Sequence, residues 1–165
     1  GVAFKDGTLY IAELSQVSKI DKIEDNLDNP PKPTVIYDKL PKDEAHGWKF
    51  IAIGPDNKLY VPVGQPGNNV LHDADHGQIR RINLDGSGAE VYALGVRNSV
   101  GFDWNPETKQ MYFTDNGRDW LSETGSTASP RRARISARRT ATRATSSTRS
   151  SAGARTARTI RRRSA

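Results

Sequence analysis

Along the first 123 residues, apolar side chains recur at every second position in short runs, and no stretch shows the three-and-four spacing of a buried helix face. Three of these runs are alike: Gly1-Val-Ala-Phe-Lys-Asp-Gly-Thr-Leu-Tyr-Ile-Ala12, Phe50-Ile-Ala-Ile-Gly-Pro-Asp-Asn-Lys-Leu-Tyr-Val-Pro62 and Val100-Gly-Phe-Asp-Trp-Asn-Pro-Glu-Thr-Lys-Gln-Met-Tyr-Phe-Thr114. Each holds two alternating runs about a turn, with a tyrosine at the same place. Tyr10, Tyr60 and Tyr112 mark a repeat of about 50 residues. Asp6-Gly7 and Asp56-Asn57 suit tight hairpin turns, Pro106-Glu107 a slightly longer one, and Asn83-Leu-Asp-Gly86 a further turn. Shorter strands are predicted at Val35-Ile-Tyr37, Gln78–Ile82 and Val91-Tyr-Ala93. A repeat of this length with four short strands is the signature of a β-propeller blade, favoured over a β-sandwich by the regular spacing. About two and a half blades fit before residue 123, which predicts an all-β partial propeller with an unpaired sheet edge.

Composition splits the chain in two. Its 165 residues carry a net +6, yet residues 1–123 hold all 19 acidic side chains and only 13 of the 25 basic ones, a net −6. Residues 124–165 contain 12 arginines and no acid, and 37 of those 42 residues are Arg, Ala, Ser or Thr. Two isoleucines, Ile135 and Ile160, cannot offset the entropy of ordering such a segment, so a disordered basic tail is expected after a propeller domain at 1–123. The overall charge is thereby removed as evidence about function. No window holds the roughly 18 apolar residues of a membrane span. The absence of Cys excludes disulfides and thiolate metal sites from what is written here. The chain opens at Gly1 within an alternating pattern and its single methionine is Met111, as expected of an internal piece of a longer protein.

Polar residues with chemical potential gather at the ends of the repeat strands. His46, in Glu44-Ala-His-Gly-Trp48, is placed to act as a general base or to bond to backbone. His72 and His76, with Asp73 and Asp75, have the composition of a metal cluster but not the ligand spacing of zinc, which favours a solvated loop. Arg97-Asn98 offers a guanidinium fork and an amide to a planar anion, or an ion pair between blades. Thr114-Asp-Asn-Gly-Arg-Asp-Trp120 contains an Asn-Gly turn able to aim carbonyls at a hard cation such as calcium.

Taken together, the segments His46–Gly64, Gly95–Thr108 and Thr114–Leu121 resemble the glucose/sorbosone dehydrogenase family, most strongly its sorbosone-dehydrogenase branch, in order and spacing over residues 1–123. The resemblance implies a six-bladed propeller that uses pyrroloquinoline quinone (PQQ) and calcium to oxidise a sugar, with electrons passed to an external acceptor. It implies that His46 is the general base, that Arg97 and Asn98 contact the cofactor, and that the carbonyls of Gly117 and Arg118 hold the calcium. Gln65 falls where the glucose enzymes place a substrate-side acid, Ala45 where they have Asp, and Arg118 where they have Pro. A periplasmic or extracellular parent follows, and little activity is expected of the chain as written, without later blades.

After Glu123 the family's acidic and aromatic motifs are replaced by Arg, Ala, Ser and Thr. Read with each codon shifted by two bases, Arg134–Thr142 permits the family's H-F-G-x-P-Y-C-H, and Thr142–Ala152 permits Q-G-D-I-I-D-P-E-F-G. A single frameshift near Ser122–Thr124 is therefore the expected origin of the tail. The competing reading is a basic arm that binds nucleic acid by counterion release, which the lack of an aromatic for base stacking disfavours. A non-catalytic propeller used for protein interaction is disfavoured by His46 and Arg97, which such a module does not need.

Overall fold

The computed structural model describes residues 1–68, 70 and 73–117, together with the backbone of two short strands at Gly125–Ser129 and Ala133–Arg134. Turn chemistry sets its hairpins. Asp6 and Gly7 take φ of 48° and 75°, the pair of positive values that a two-residue hairpin turn needs to match the twist of its strands. They join β1 (Val2–Lys5) to β2 (Thr8–Ala12) in the register Lys5↔Thr8. The equivalent turn between β5 (Ala52–Ile53) and β6 (Lys58–Val63) is closed by Asn57 at φ 60°. The longer one between β9 (Phe102–Trp104) and β10 (Met111–Asp115) uses Lys109 at φ 57°. All three repeats are thus hairpins of the kind their sequences predict.

β3 (Val17–Ile20) and β4 (Thr34–Tyr37) complete an antiparallel sheet in the order β1-β2-β3-β4. β7 (Gln78–Asn83) and β8 (Glu90–Leu94) extend β5 and β6 in the same way. The third sheet runs β9-β10-β11, where β11 is Gly125–Ser129, and β12 (Ala133–Arg134) lies parallel to β8. No α-helix occurs among the described residues; a 3-10 turn at Ile23–Asn26 is the one helical element there. β3 is the strand that the alternation missed: Val-Ser-Lys-Ile is short, and its serine is buried on the sheet face that also carries Ile20. The tail contributes β11 and β12, which pair through backbone groups available to any sequence. The rest of the expected disordered tail lies outside the described residues.

The three sheets stack face to face through the middle one. Leu59, Val61 and Val63 of β6 pack with Tyr10, Ala12 and Val17 of the first sheet. Tyr60, on the opposite face of β6, packs with Ile79, Phe102, Met111 and Phe113 toward the third. A strand buried on both sides reads as a nearly continuous apolar run, as Leu-Tyr-Val-Pro-Val does. Each such side chain contributes roughly 1.5–3 kcal/mol on leaving water. Successive four-stranded sheets stacked in chain order make this a partial β-propeller: two full blades and part of a third.

Candidate functional site

Strand direction decides what meets at one end of the stack. In an up-and-down blade the start of the first strand and the end of the second lie together, so His46 ahead of β5, Gln65 after β6, Asn98 ahead of β9 and Asn116 after β10 share one rim. The structure links them by hydrogen bonds. His46 sits in a turn closed by Gly47 N–H to Glu44 O (2.9 Å), with its own φ at 51°, a left-handed conformation costly for a side chain with Cβ. Its Nδ1 lies 2.7 Å from the carbonyl oxygen of Gln65. A carbonyl only accepts, so Nδ1 carries the proton and Nε2 of the neutral ring presents a lone pair. Gly64 allows the approach, because a Cβ there would stand 2.5 Å from His46 Cβ.

Gln65 continues the chain by donating its backbone N–H to Arg97 O (2.9 Å). The Arg97 guanidinium donates to Asn68 Oδ1 (2.7 Å), Asn68 O (3.3 Å) and Asn116 O (2.9 Å), bridging the second and third sheets. Among the described residues no carboxylate pairs with this guanidinium, so its charge is held in place without being neutralised by a side chain. In place of the alternative reading, an ion pair between blades, the described residues give Arg97 a set of neutral oxygen acceptors. Beneath it, Asp115 accepts the backbone N–H of Arg97 (3.1 Å) and of Asn98 (2.7 Å) with one oxygen each. Burial pushes the Asp115 carboxyl above its ordinary value, opposed by these two N–H groups and by nearby Arg97 and His46. Asp115 and Asn116 lie within the Thr114–Trp120 motif, which assigns neither of them these contacts, and Asn68 lies outside every motif; the signal for Asp115 is an acid closing a strand beside the Arg-Asn pair.

Gly117, on the same rim, is described and half-buried, whereas Arg118 lies outside the described residues. His76 is held by Asp73 (Nδ1, 2.8 Å) and Asp43 (Nε2, 3.0 Å), joining two loops, and His72 lies outside the described residues. No group of three His, Cys, Asp or Glu side chains suited to a metal occurs among the described residues. A cleft of about 500 Å³ adjoins the His46 segment, lined by residues such as Glu13, Glu44, Trp48 and Lys49. His46 is not part of its wall. Lys49 is buried in it and donates to Gly47 O (2.8 Å), its pKa lowered by burial and by Arg80.

Comparison with known proteins bears on the family and the fold. Residues 10–123 match the family model described as Glucose / Sorbosone dehydrogenase. The chain is 31% identical over 133 residues to an uncharacterized protein of Borreliella burgdorferi, covering 74% of this chain and 35% of that protein. It is 29% identical over 131 residues to quinoprotein glucose dehydrogenase B of Acinetobacter calcoaceticus, covering 59% and 26%. The chain thus spans only about a third or less of the curated relatives it matches. Among solved structures, the PQQ-bound aldose sugar dehydrogenase of Streptomyces coelicolor superposes with a TM-score of 0.58 at 23% identity, over 75% of this chain and 41% of that one. The PQQ domain of Coprinopsis cinerea pyranose dehydrogenase does so with a TM-score of 0.57 at 14% identity, over 73% and 34%. These likenesses agree with a partial propeller.

Proposed function

We propose, on the premise that the chain belongs to the glucose/sorbosone dehydrogenase family, that it carries part of the catalytic rim of a PQQ- and calcium-dependent dehydrogenase of aldoses or sorbosone. The observation that carries this reading is the Nδ1 bond of His46, which leaves Nε2 free to accept a proton from a sugar hydroxyl. The donor set fits the cofactor: Arg97 is a cation fixed by neutral oxygens, with no carboxylate ion pair among the described residues, which suits an anionic ortho-quinone with carboxylate groups, and Asn98 adds an amide beside it. Gly117 and Arg118 would offer backbone carbonyls, the hard oxygen donors that calcium prefers. When bound, PQQ supplies the acceptor for the hydride equivalent leaving the sugar carbon. Gln65 is the substrate-side residue in this reading, and an external quinone or cytochrome receives the electrons. The full-length protein would work in the periplasm or outside the cell; no helix among the described residues is long and apolar enough to cross a membrane.

The test uses the 165-residue chain with PQQ and calcium. Quinone absorbance titrations should show binding that weakens by about 10-fold or more in Arg97→Ala, and an assay with an artificial electron acceptor across several sugars should show little or no turnover. Equal binding by wild type and Arg97→Ala would overturn the cofactor assignment. Robust turnover would overturn the expectation that blades beyond this segment are needed.

A further inference from the structure

Asp115 does more than close a strand. Its two carboxylate oxygens take the backbone N–H groups of consecutive residues, Arg97 and Asn98, at 3.1 and 2.7 Å. The same corner is tied back from the other side, since Asn116 N–H donates to Asn98 O (3.1 Å) and Arg97 Nη1 donates to Asn116 O (2.9 Å). The corner then reaches the base without a gap: Arg97 O accepts Gln65 N–H at 2.9 Å, and Gln65 O faces His46 Nδ1 at 2.7 Å. The Arg97–Asn98 peptide, polarised at the Asn98 N–H, is a better acceptor at the Arg97 C=O; from there the Gln65 backbone links the last two bonds by position, its N–H and C=O lying on either side of one Cα.

We propose that Asp115 is the positioning residue of this rim: it fixes the Arg97–Asn98 corner and, through the Arg97 carbonyl and the backbone placement of Gln65, holds His46 in the Nδ1–H tautomer and in its left-handed turn. This rests on the reading of His46 as base and of Arg97-Asn98 as cofactor contacts, but its physical core, a coupling between residues 115 and 46, stands on hydrogen bonds alone. An amide cannot replace the carboxylate, because one of its two ends is a donor that would face a second donor. Glutamate keeps both acceptors but moves them by one methylene.

The experiment compares wild type, Asp115→Asn and Asp115→Glu in the full chain. Nitrogen-15 spectra of the imidazoles near pH 8 report the His46 tautomer, and amide hydrogen exchange reports Gln65, Arg97 and Asn98. In Asp115→Asn, exchange protection of Arg97 and Asn98 should fall by about 10-fold or more while Leu59 and Ile79 keep theirs. His46 should become a mixture of Nδ1–H and Nε2–H forms. PQQ affinity should fall by about 10-fold, in keeping with the loss of an outer-shell partner, and Asp115→Glu should lie between the two. A folded Asp115→Asn with unchanged Gln65 exchange and an unchanged His46 tautomer would overturn the proposal. Should both variants fail to fold, wild type decides: the amides of Gln65, Arg97 and Asn98 open together if they form one unit, and a spread above about 10-fold in their protection refutes it. If wild type binds no PQQ, the functional reading fails while the exchange and tautomer data still decide the role of Asp115.

Discussion

Gly64→Ala tests the geometry of the His46 turn most directly. Gly64 is absent from the glycines with positive φ, so alanine meets no backbone penalty there and probes space alone. Its Cβ would stand 2.5 Å from His46 Cβ and 2.8 Å from His46 O, against the roughly 3.5–4.0 Å of an ordinary contact, so His46 must withdraw by about 1 Å. The turn resists, because His46 is already left-handed and tied to Gln65. Overpacking of this kind costs about 1–3 kcal/mol, and the lower entropy of the unfolded alanine chain returns about 0.4–1 kcal/mol. A net loss of about 1–2 kcal/mol is expected, read as a lower urea midpoint by tryptophan fluorescence. Gly101→Ala is the control: Gly101 also lacks a positive φ, a Cβ there meets nothing within 4 Å, and the variant should match or slightly exceed wild type. On the proposed reading of His46 as base, a 1 Å shift costs on the order of 100-fold in a chain competent for turnover. Equal stability of the two variants, with the His46 Nδ1–H signal unchanged in both, would refute the close approach.

Three further outcomes follow from the same contacts. His46→Gly should be more stable than His46→Ala by about 1 kcal/mol in urea unfolding, since both lose the imidazole and only glycine escapes the left-handed penalty. Tyr60→Phe should cost about 1 kcal/mol, because its hydroxyl donates to Asp56 at 2.9 Å while Arg81 keeps that carboxylate partnered; Tyr112→Phe, at 45% exposure, should change stability by less than about 0.5 kcal/mol. Glu90 is held below its ordinary 4.5 by hydrogen bonds from Arg81 and Lys58, so its ionised form is favoured by folding; the contribution is present above 4.5 and lost as pH falls through the folded value. Glu90→Gln should therefore flatten the acid limb of the stability profile, by no more than about 0.5 kcal/mol for so exposed a pair.

Sequence and structure agree where information is local, and part company where it is not. Asp6-Gly7 can be placed in a hairpin turn from two residues, because positive φ at both is a property of those residues. The three repeat tyrosines could be aligned but not distinguished: Tyr10 and Tyr60 are buried between sheets, whereas Tyr112 projects from the outer face of the third. Their alternation is the same; the neighbouring sheet differs. His46, Gln65, Arg97 and Asn98 could be nominated one by one, yet what joins them is mostly main chain: the Gln65 peptide, the Arg97 carbonyl and the Asn116 carbonyl. Backbone groups leave no letter in a sequence. Asp115 is the exception, a side chain that accepts two further backbone groups, the N–H of Arg97 and of Asn98. The tail shows the converse. Its arginines dominate the charge of the whole chain, while its described parts join by main-chain pairing, β11 to β10 from Met111↔Ser129 to Asp115↔Gly125 and β12 to β8. A shifted reading frame changes every letter but not the capacity of a peptide to pair, so β11 does not require that the tail was ever selected to fold. We propose that the propeller domain ends at residue 123 and that the sequence beyond is out of frame. The nucleotide sequence decides this: codons that cannot be reread to give H-F-G-x-P-Y-C-H across residues 134–142 would refute it.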